Sequence, residues 1–295
     1  MNASTAQKLD PGIHLIEANA GTGKTYRLTD TCLQLLQQPD AGVTMDQFLV
    51  LTFTRAAASE LTGRIQERVR EGLAQHPTDT PTQPAQQLEQ ALTQIDNATI
   101  CTTDAFYYLL FQDYGLELGT PFALPAPSDA ADNLKRACYL WWRQQIQNQN
   151  YQPLQQLDSL GLEDPIKLAD WLEKSRQYCG ASLVFLDDGA SDELDQGISH
   201  HNKATATWMR QMDLDISRLE LEGLSAGQRP DFSLLAHRLL DRIKAEDTNA
   251  HKLRERIRAR WKVVLIDESQ DNSPIQFEIF RQLFGPPGKR WLFFI

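Results

Sequence analysis

Cysteine, long apolar runs and positive charge are all scarce in this 295-residue sequence. Cys32, Cys101, Cys138 and Cys179 are the whole cysteine complement, and no two stand at the C-x-x-C spacing of a zinc or redox site. They are expected to be reduced and packed as small hydrophobes. No apolar run reaches the roughly 18 residues of a membrane span. The N-terminus lacks the charged start and apolar stretch of a signal peptide. A cytoplasmic protein with no membrane partner is the expectation. Lys and Arg number 29 against 39 Asp and Glu, a net charge of −10. That balance argues against coating nucleic acid through bulk positive charge, though it leaves room for a local basic groove.

What is present is an ordinary globular composition, 41% hydrophobic and 23% charged. At about 150 residues per domain, the length suggests roughly two domains. Short apolar runs at Ile13–Ile16, Phe48–Leu51, Ala98–Cys101, Val263–Ile266 and Trp291–Ile295 read as strands. The lack of alternation in Phe48–Leu51 suits a parallel strand covered on both faces. Helical spacing follows the first four, through Leu28, Cys32 and Leu35, through Leu61, Ile65 and Val69, through Phe106 and Leu110, and through Ile275, Ile279 and Leu283. His76 to Gln87, rich in Pro, Thr and Gln, reads as an exposed loop. Thr120 to Ser128 holds three prolines and reads as a boundary. From about 129 to 258 the pattern is mostly helical, with Asp187 to Gly197 as an acidic loop. The result is an α/β sheet split by a helical insertion. The chain ends within its last strand, where backbone and side chains would need partners, so a truncated sequence is expected.

Two motifs carry chemistry. Gly21, Gly23, Lys24 and Thr25 lie between a strand and a helix, the setting of a phosphate loop. Small residues let backbone N–H groups face phosphate oxygens, and the helix N-terminus favours the anion. Lys24 would reach the β and γ phosphates and the Thr25 hydroxyl would ligate Mg²⁺. The pattern G-x-x-x-x-G-K-[ST] is met except at its first position, held by Ala18. Ala20, Gly21, Thr22, Gly23, Lys24 and Thr25 are therefore the candidate nucleotide-binding residues, with ATP and Mg²⁺ as cofactors. Asp267 and Glu268 close an apolar strand, where ligands bind in such sheets. Asp267 would hold Mg²⁺ through water, and Glu268 would orient or deprotonate the attacking water.

With these residues assembled, residues 267–271, DESQD, resemble the D-E-x-Q-D box of superfamily 1 helicases of the UvrD/RecB type. Residues 52–61, TFTRAAASEL, with Arg64 and Ile65, resemble the T-F-T-x-x-A-A-x-E-[LM]-x-x-R-I box of the same family, and residues 102–106, TTDAF, its T-I-H-[SG]-F box. The loop IEANAGTGKT at 16–25 is similar to the RecB-like branch. The boxes stand in the family's order and cover about a quarter of the chain; the insertion carries no match.

The resemblance implies a RecA-like P-loop NTPase core with a parallel sheet, interrupted by a mostly helical insertion. Its expected domains are residues 1–112, the ATP-binding core; 113–255, the insertion; and 256–295, the core continued. It implies an ATP-driven motor that moves 3′ to 5′ on single-stranded DNA and separates strands at duplex/single-strand junctions in repair or recombination, with the subunits of a helicase-nuclease complex as expected partners. Glu268, Lys24 and Gln270 would be catalytic, with Gln270 sensing the γ phosphate; Thr25 and Asp267 would serve the metal. Thr52, Phe53, Thr54, Arg55 and Phe106 match DNA-side boxes. Hydroxyls and amides at Thr52 and Thr54 hold a phosphate without reading sequence. Phe53 and Phe106 either offer rings for base stacking or pack in the core.

There are departures. Asp104 replaces the family's usual His, and an acidic group there would repel phosphate. Gln7 lies closer to the loop than the family's adenine-reading Gln. The family's next box, G-D-x-x-Q, and its second motor domain do not occur in this sequence, so weak nucleotide binding and poor hydrolysis are expected of the chain alone. Two other classes stay open: a nucleotide-regulated DNA-binding or scaffolding module, and a DNA-independent P-loop enzyme.

Other features have plainer readings. The basic stretch from Lys252 to Lys262 either helps hold a DNA backbone or is a solvated helix face, and Trp141 continues a core stripe. His200 and His201 make a poor metal pair, and the acidic loop lacks a calcium pattern.

Overall fold

The computed structural model describes residues 8–16, 23–76, 82–120, 132–179, 200–225, 232–286 and 288–295. The elements run β1 (Gly12–Leu15), α1 (Lys24–Gln37), β2 (Phe48–Thr52), α2 (Arg55–Ala74), α3 (Gln83–Thr93), β3 (Thr99–Thr102) and α4 (Thr103–Tyr114). Then come α5 (Asp132–Gln147), α6 (Gln152–Ser159), α7 (Pro165–Cys179), α8 (His200–Ser225) and α9 (Phe232–Lys244). The last are α10 (Thr248–Arg260), β4 (Val263–Ile266), α11 (Pro274–Phe284) and β5 (Trp291–Phe294).

The five strands form one parallel sheet in the order β1-β5-β4-β2-β3. The mixed α/β fold with a parallel sheet is the one expected. β2, β4 and β5 are buried at every residue, which explains their unbroken apolar runs. One face of the sheet, including Phe48, Val50, Val263, Leu265, Trp291 and Phe293, packs with Leu28, Cys32 and Leu35 of α1 and Leu61, Ile65 and Val69 of α2. Each such buried side chain contributes about 1.5–3 kcal/mol. Near α4, α10 and α11, Phe106 meets Trp261 edge-on with ring centroids 5.4 Å apart and lies against Phe280 and Phe284.

Because all strands are parallel, the segments after β1, β2, β3 and β4 all leave the same edge. Register locks their heights. Thr52 pairs with Thr102, Leu51 with Ile266, and Ile266 with Phe294. The Asp267 N–H donates to the Leu51 carbonyl at 2.8 Å, and the Ser269 N–H to that of Ile295 at 2.8 Å.

The residues expected to form a loop up to Gln87 instead begin helix α3 at Gln83. Thr82 accepts from the Ala85 N–H, and Pro84 sits in the first turn, where its missing N–H costs nothing.

The chain divides into two compact units. One comprises Met1–Phe106, Glu246–Asn272 and Phe280–Ile295, and holds the sheet. The other comprises Tyr107–Ala245 and Ser273–Ile279. It is helical, with a core of Leu134, Cys138, Trp141, Leu168, Leu172 and Met212 among others. Trp141 is thus a core residue, and Trp142 packs half-buried beside it. Within this unit Arg238 and Arg242 of α9 donate to the carbonyls of Leu118, Gly119 and Glu117, just past α4. The proline-rich boundary at 121–128 and the acidic loop at 187–197 lie outside the described residues.

Candidate functional site

The phosphate-loop residues Ala20, Gly21 and Thr22, and Ala18 before them, lie outside the described residues. Gly23, Lys24 and Thr25 are described. Gly23 sits at φ 87°, a left-handed conformation that favours glycine, and its carbonyl accepts from the Arg27 N–H at 2.9 Å. It caps α1, so Lys24 opens the first turn of that helix.

Lys24 Nζ donates to Glu268 Oε2 at 2.9 Å, with side chains 20% and 43% exposed. Gln270 Nε2 donates to the same oxygen. These two contacts, Gln270 first, hold the Glu268 carboxyl below its ordinary range. Glu268 itself stands at φ 51°, uncommon for a residue with a side chain. Such backbone, costing about 1–3 kcal/mol, clusters at functional sites. Asp267, half-buried at the end of β4, accepts from the Glu268 N–H at 3.1 Å. Burial, then the neighbouring Glu268 charge, pushes its carboxyl above the ordinary range. The structure therefore joins Lys24, Glu268 and Gln270 in one hydrogen-bonded set with Asp267 adjoining.

Among the described residues no three His, Cys, Asp or Glu side chains gather as a metal cluster. Mg²⁺ asks for less, being held by one or two carboxylates with phosphates and retained waters. An Asp267 carboxylate raised by burial, which a cation would relieve, fits that donor set together with the Thr25 hydroxyl.

The segment after β2 divides by role. Thr52 is only 2% exposed, and its hydroxyl bonds the Thr54 backbone, accepting from N–H at 3.2 Å and donating to the carbonyl at 3.3 Å. Thr54 caps α2 by accepting from the Ala57 N–H at 3.1 Å. Phe53 is 72% exposed, and Thr54 and Arg55 are exposed beside it. Phe106 differs from the DNA-side expectation: it is 0% exposed, enclosed by Trp261, Phe280 and Phe284. Asp104 is half-buried at the start of α4, whose Ala105 N–H is capped by Thr102.

In the basic stretch, Arg258 donates to the Leu283 and Gln282 carbonyls at 2.7 and 2.9 Å, and Arg260 lies 4.4 Å over the Trp261 ring. Both stand at the N-terminal edge of the sheet, opposite the site.

A family model described as the UvrD/REP helicase N-terminal domain matches residues 1–295. The RecBCD enzyme subunit RecB of Mycobacterium tuberculosis (strain CDC 1551 / Oshkosh) is 26% identical over 294 residues, covering 92% of this chain and 24% of the relative. RecB of Escherichia coli (strain K12) is 32% identical over 168 residues, covering 48% of this chain and 14% of that relative. An ATP-dependent helicase/nuclease subunit of Levilactobacillus brevis is 41% identical over 100 residues, covering 34% of this chain and 8% of that relative. The chain spans about a quarter of the length of the Mycobacterium tuberculosis RecB relative.

Proposed function

The chain belongs to the UvrD/REP helicase N-terminal domain family, and from that premise we propose that it is the ATP-binding part of a motor that moves 3′ to 5′ on single-stranded DNA. The motor would unwind duplex in repair or recombination, alongside partner subunits, in the cytoplasm. The meeting of Lys24 and Glu268 at 2.9 Å carries the reading, because it brings the phosphate-gripping group and the water-orienting group to one place.

In this reading Lys24 and the backbone of residues 20–25 hold the triphosphate, and Thr25 and Asp267 hold Mg²⁺. The bound ion supplies neutralising charge on the phosphate oxygens. Glu268 orients the attacking water and accepts its proton, and Gln270, bonded to Glu268, registers the γ phosphate. Thr54, Phe53 and Arg55 contact the DNA backbone and bases, while Thr52 shapes their loop from beneath. Residues 113–255 form an insertion between the core segments 1–112 and 256–295.

The protein as its gene produces it should hydrolyse ATP faster with single-stranded DNA present. Lys24→Ala and Glu268→Gln should each abolish turnover. Unchanged hydrolysis in both variants overturns the reading. Hydrolysis indifferent to DNA, with no DNA affinity at low salt, would instead fit a small-molecule enzyme.

A further inference from the structure

Two helices leave the edge of the sheet that carries the chemistry. α1 starts at Lys24, and α2 starts at Arg55, just behind the exposed Phe53. Leu28, Cys32 and Leu33 of α1 share an apolar cluster with Leu61, Ile65 and Val69 of α2. Gly72 lets the helices approach closely, since a Cβ there would lie 2.5 Å from Leu33 Cδ1.

One polar fork sits on this interface. Arg68 of α2 donates through Nη2 to the Asp30 carboxylate and, at 3.2 Å, to the Tyr26 hydroxyl, both on α1. Through Nη1 it donates to Glu71 at 3.0 Å. Its guanidinium carbon lies 5.0 Å from the centre of the Tyr26 ring. The side chains of Arg68 and Asp30 are only 17% and 25% exposed, so solvent screens this pair less than a surface one. Tyr26 directly follows Thr25. The fork therefore grips the same first turn of α1 that presents Lys24 and Thr25.

A guanidinium is planar, with its donors fixed in direction. It cannot follow an ångström-scale shift of α1 against α2 without losing bonds. α2 has 20 residues, a rod of about 30 Å, and its first turn is tied to the Thr52–Thr54 segment by the Thr54 cap. A displacement of the Lys24 turn is thus passed through one fork to a rigid rod, and by the rod to the exposed loop. We infer that Arg68 is a positioning residue that couples nucleotide binding at the Lys24 turn to nucleic-acid binding at the Phe53–Arg55 loop, an inference that rests on the functions proposed above for those two loops.

Coupling of this kind is a ratio of affinities and is reciprocal. In the protein as its gene produces it, the affinity for a fluorescein-labelled oligo-dT is measured by anisotropy, with and without a non-hydrolysable ATP analogue and Mg²⁺. In the unaltered chain the two affinities should differ by about 5-fold or more, the low end for linked sites. In Arg68→Ala that ratio should fall to about one, while each ligand alone binds within about threefold of the unaltered chain. A ratio that survives in Arg68→Ala, or is absent from the unaltered chain, overturns the inference. So does a parallel weakening of both ligands at constant ratio, the mark of a purely structural role. If Arg68→Ala does not fold, Arg68→Lys, which keeps the charge without the fork, and Tyr26→Phe report the same ratio. Failure of the unaltered protein, as its gene produces it, to bind either ligand overturns the underlying reading, and the inference with it.

Discussion

Lys24 and Glu268, 244 positions apart in the chain, share one hydrogen bond of 2.9 Å between Nζ and Oε2. The ammonium suited to a phosphate already holds a carboxylate, and that carboxylate is also held by Gln270. On the function proposed above, a triphosphate would take Lys24 from Glu268, and the release of Glu268 would free it to orient a water. Binding and activation would then be one exchange of partners.

That exchange has a measurable cost. The pair is partly exposed, so its worth is about 0.2–1 kcal/mol after solvent screening. Glu268→Ala should remove the competitor and tighten binding of a non-hydrolysable ATP analogue by up to about 5-fold, while turnover is lost. Titration calorimetry on the two proteins decides it. Weaker binding in the variant would show that Glu268 supports the nucleotide rather than competing with it.

The thiols offer a second test. Burial pushes both Cys32 and Cys101 up to about 12. At pH 8 only about one thiol in ten thousand would be thiolate, the form that reacts. Alkylation at pH 8 with peptide mapping should leave both unlabelled in the native chain and modify both in denaturant. Rapid native labelling of Cys32 would mean that α1 opens away from the sheet.

What could be read from the residues, and what could not, follows from range. β2 and β4 were legible because parallel strands covered on both faces carry continuous apolar runs, and Asp267 and Glu268 were legible because they close one of them. Helix α3 was hidden: its buried residues, Ala85, Leu88 and Ala91, are a thin stripe among Gln and Thr, and its Pro looked like a breaker. The Arg68–Asp30 pair spans 38 positions and no local pattern announces it; only the Glu71 partner at i+3 was visible. The burial of Phe106 is likewise a tertiary fact, set by Trp261, Phe280 and Phe284 arriving from distant segments.

Arg258 shows how far a charge run can mislead. Its two bonds to the Leu283 and Gln282 carbonyls cap the end of α11, with Glu255 at 2.9 Å on its other side. Hydrogen bonds from a charged group are worth about 1.5–3 kcal/mol. Arg258→Ala should lower stability in urea by about that amount and leave oligo-dT affinity within about twofold. A large loss of DNA affinity with unchanged stability would return the stretch to the DNA interface.

Phe53 and Phe106 make opposite predictions from one residue type. Phe53 is 72% exposed between the buried Thr52 and the Thr54 cap, so its ring packs little of the core. Phe53→Ala should change stability by less than about 0.5 kcal/mol. Base stacking on an aromatic is worth about 1–3 kcal/mol, so the same change should weaken single-stranded DNA binding at least about 5-fold, without preference among bases. Phe106 is 0% exposed among three aromatic rings. Phe106→Ala should cost about 3–5 kcal/mol of stability through the cavity it leaves. Phe106→Leu keeps most of the volume and separates the two roles: if the ring stacks on a base, DNA affinity falls while the fold holds, and if it is core, affinity is kept. Urea unfolding and anisotropy on the three variants give the answer, and retained affinity in Phe53→Ala would remove that loop's ring from the DNA path.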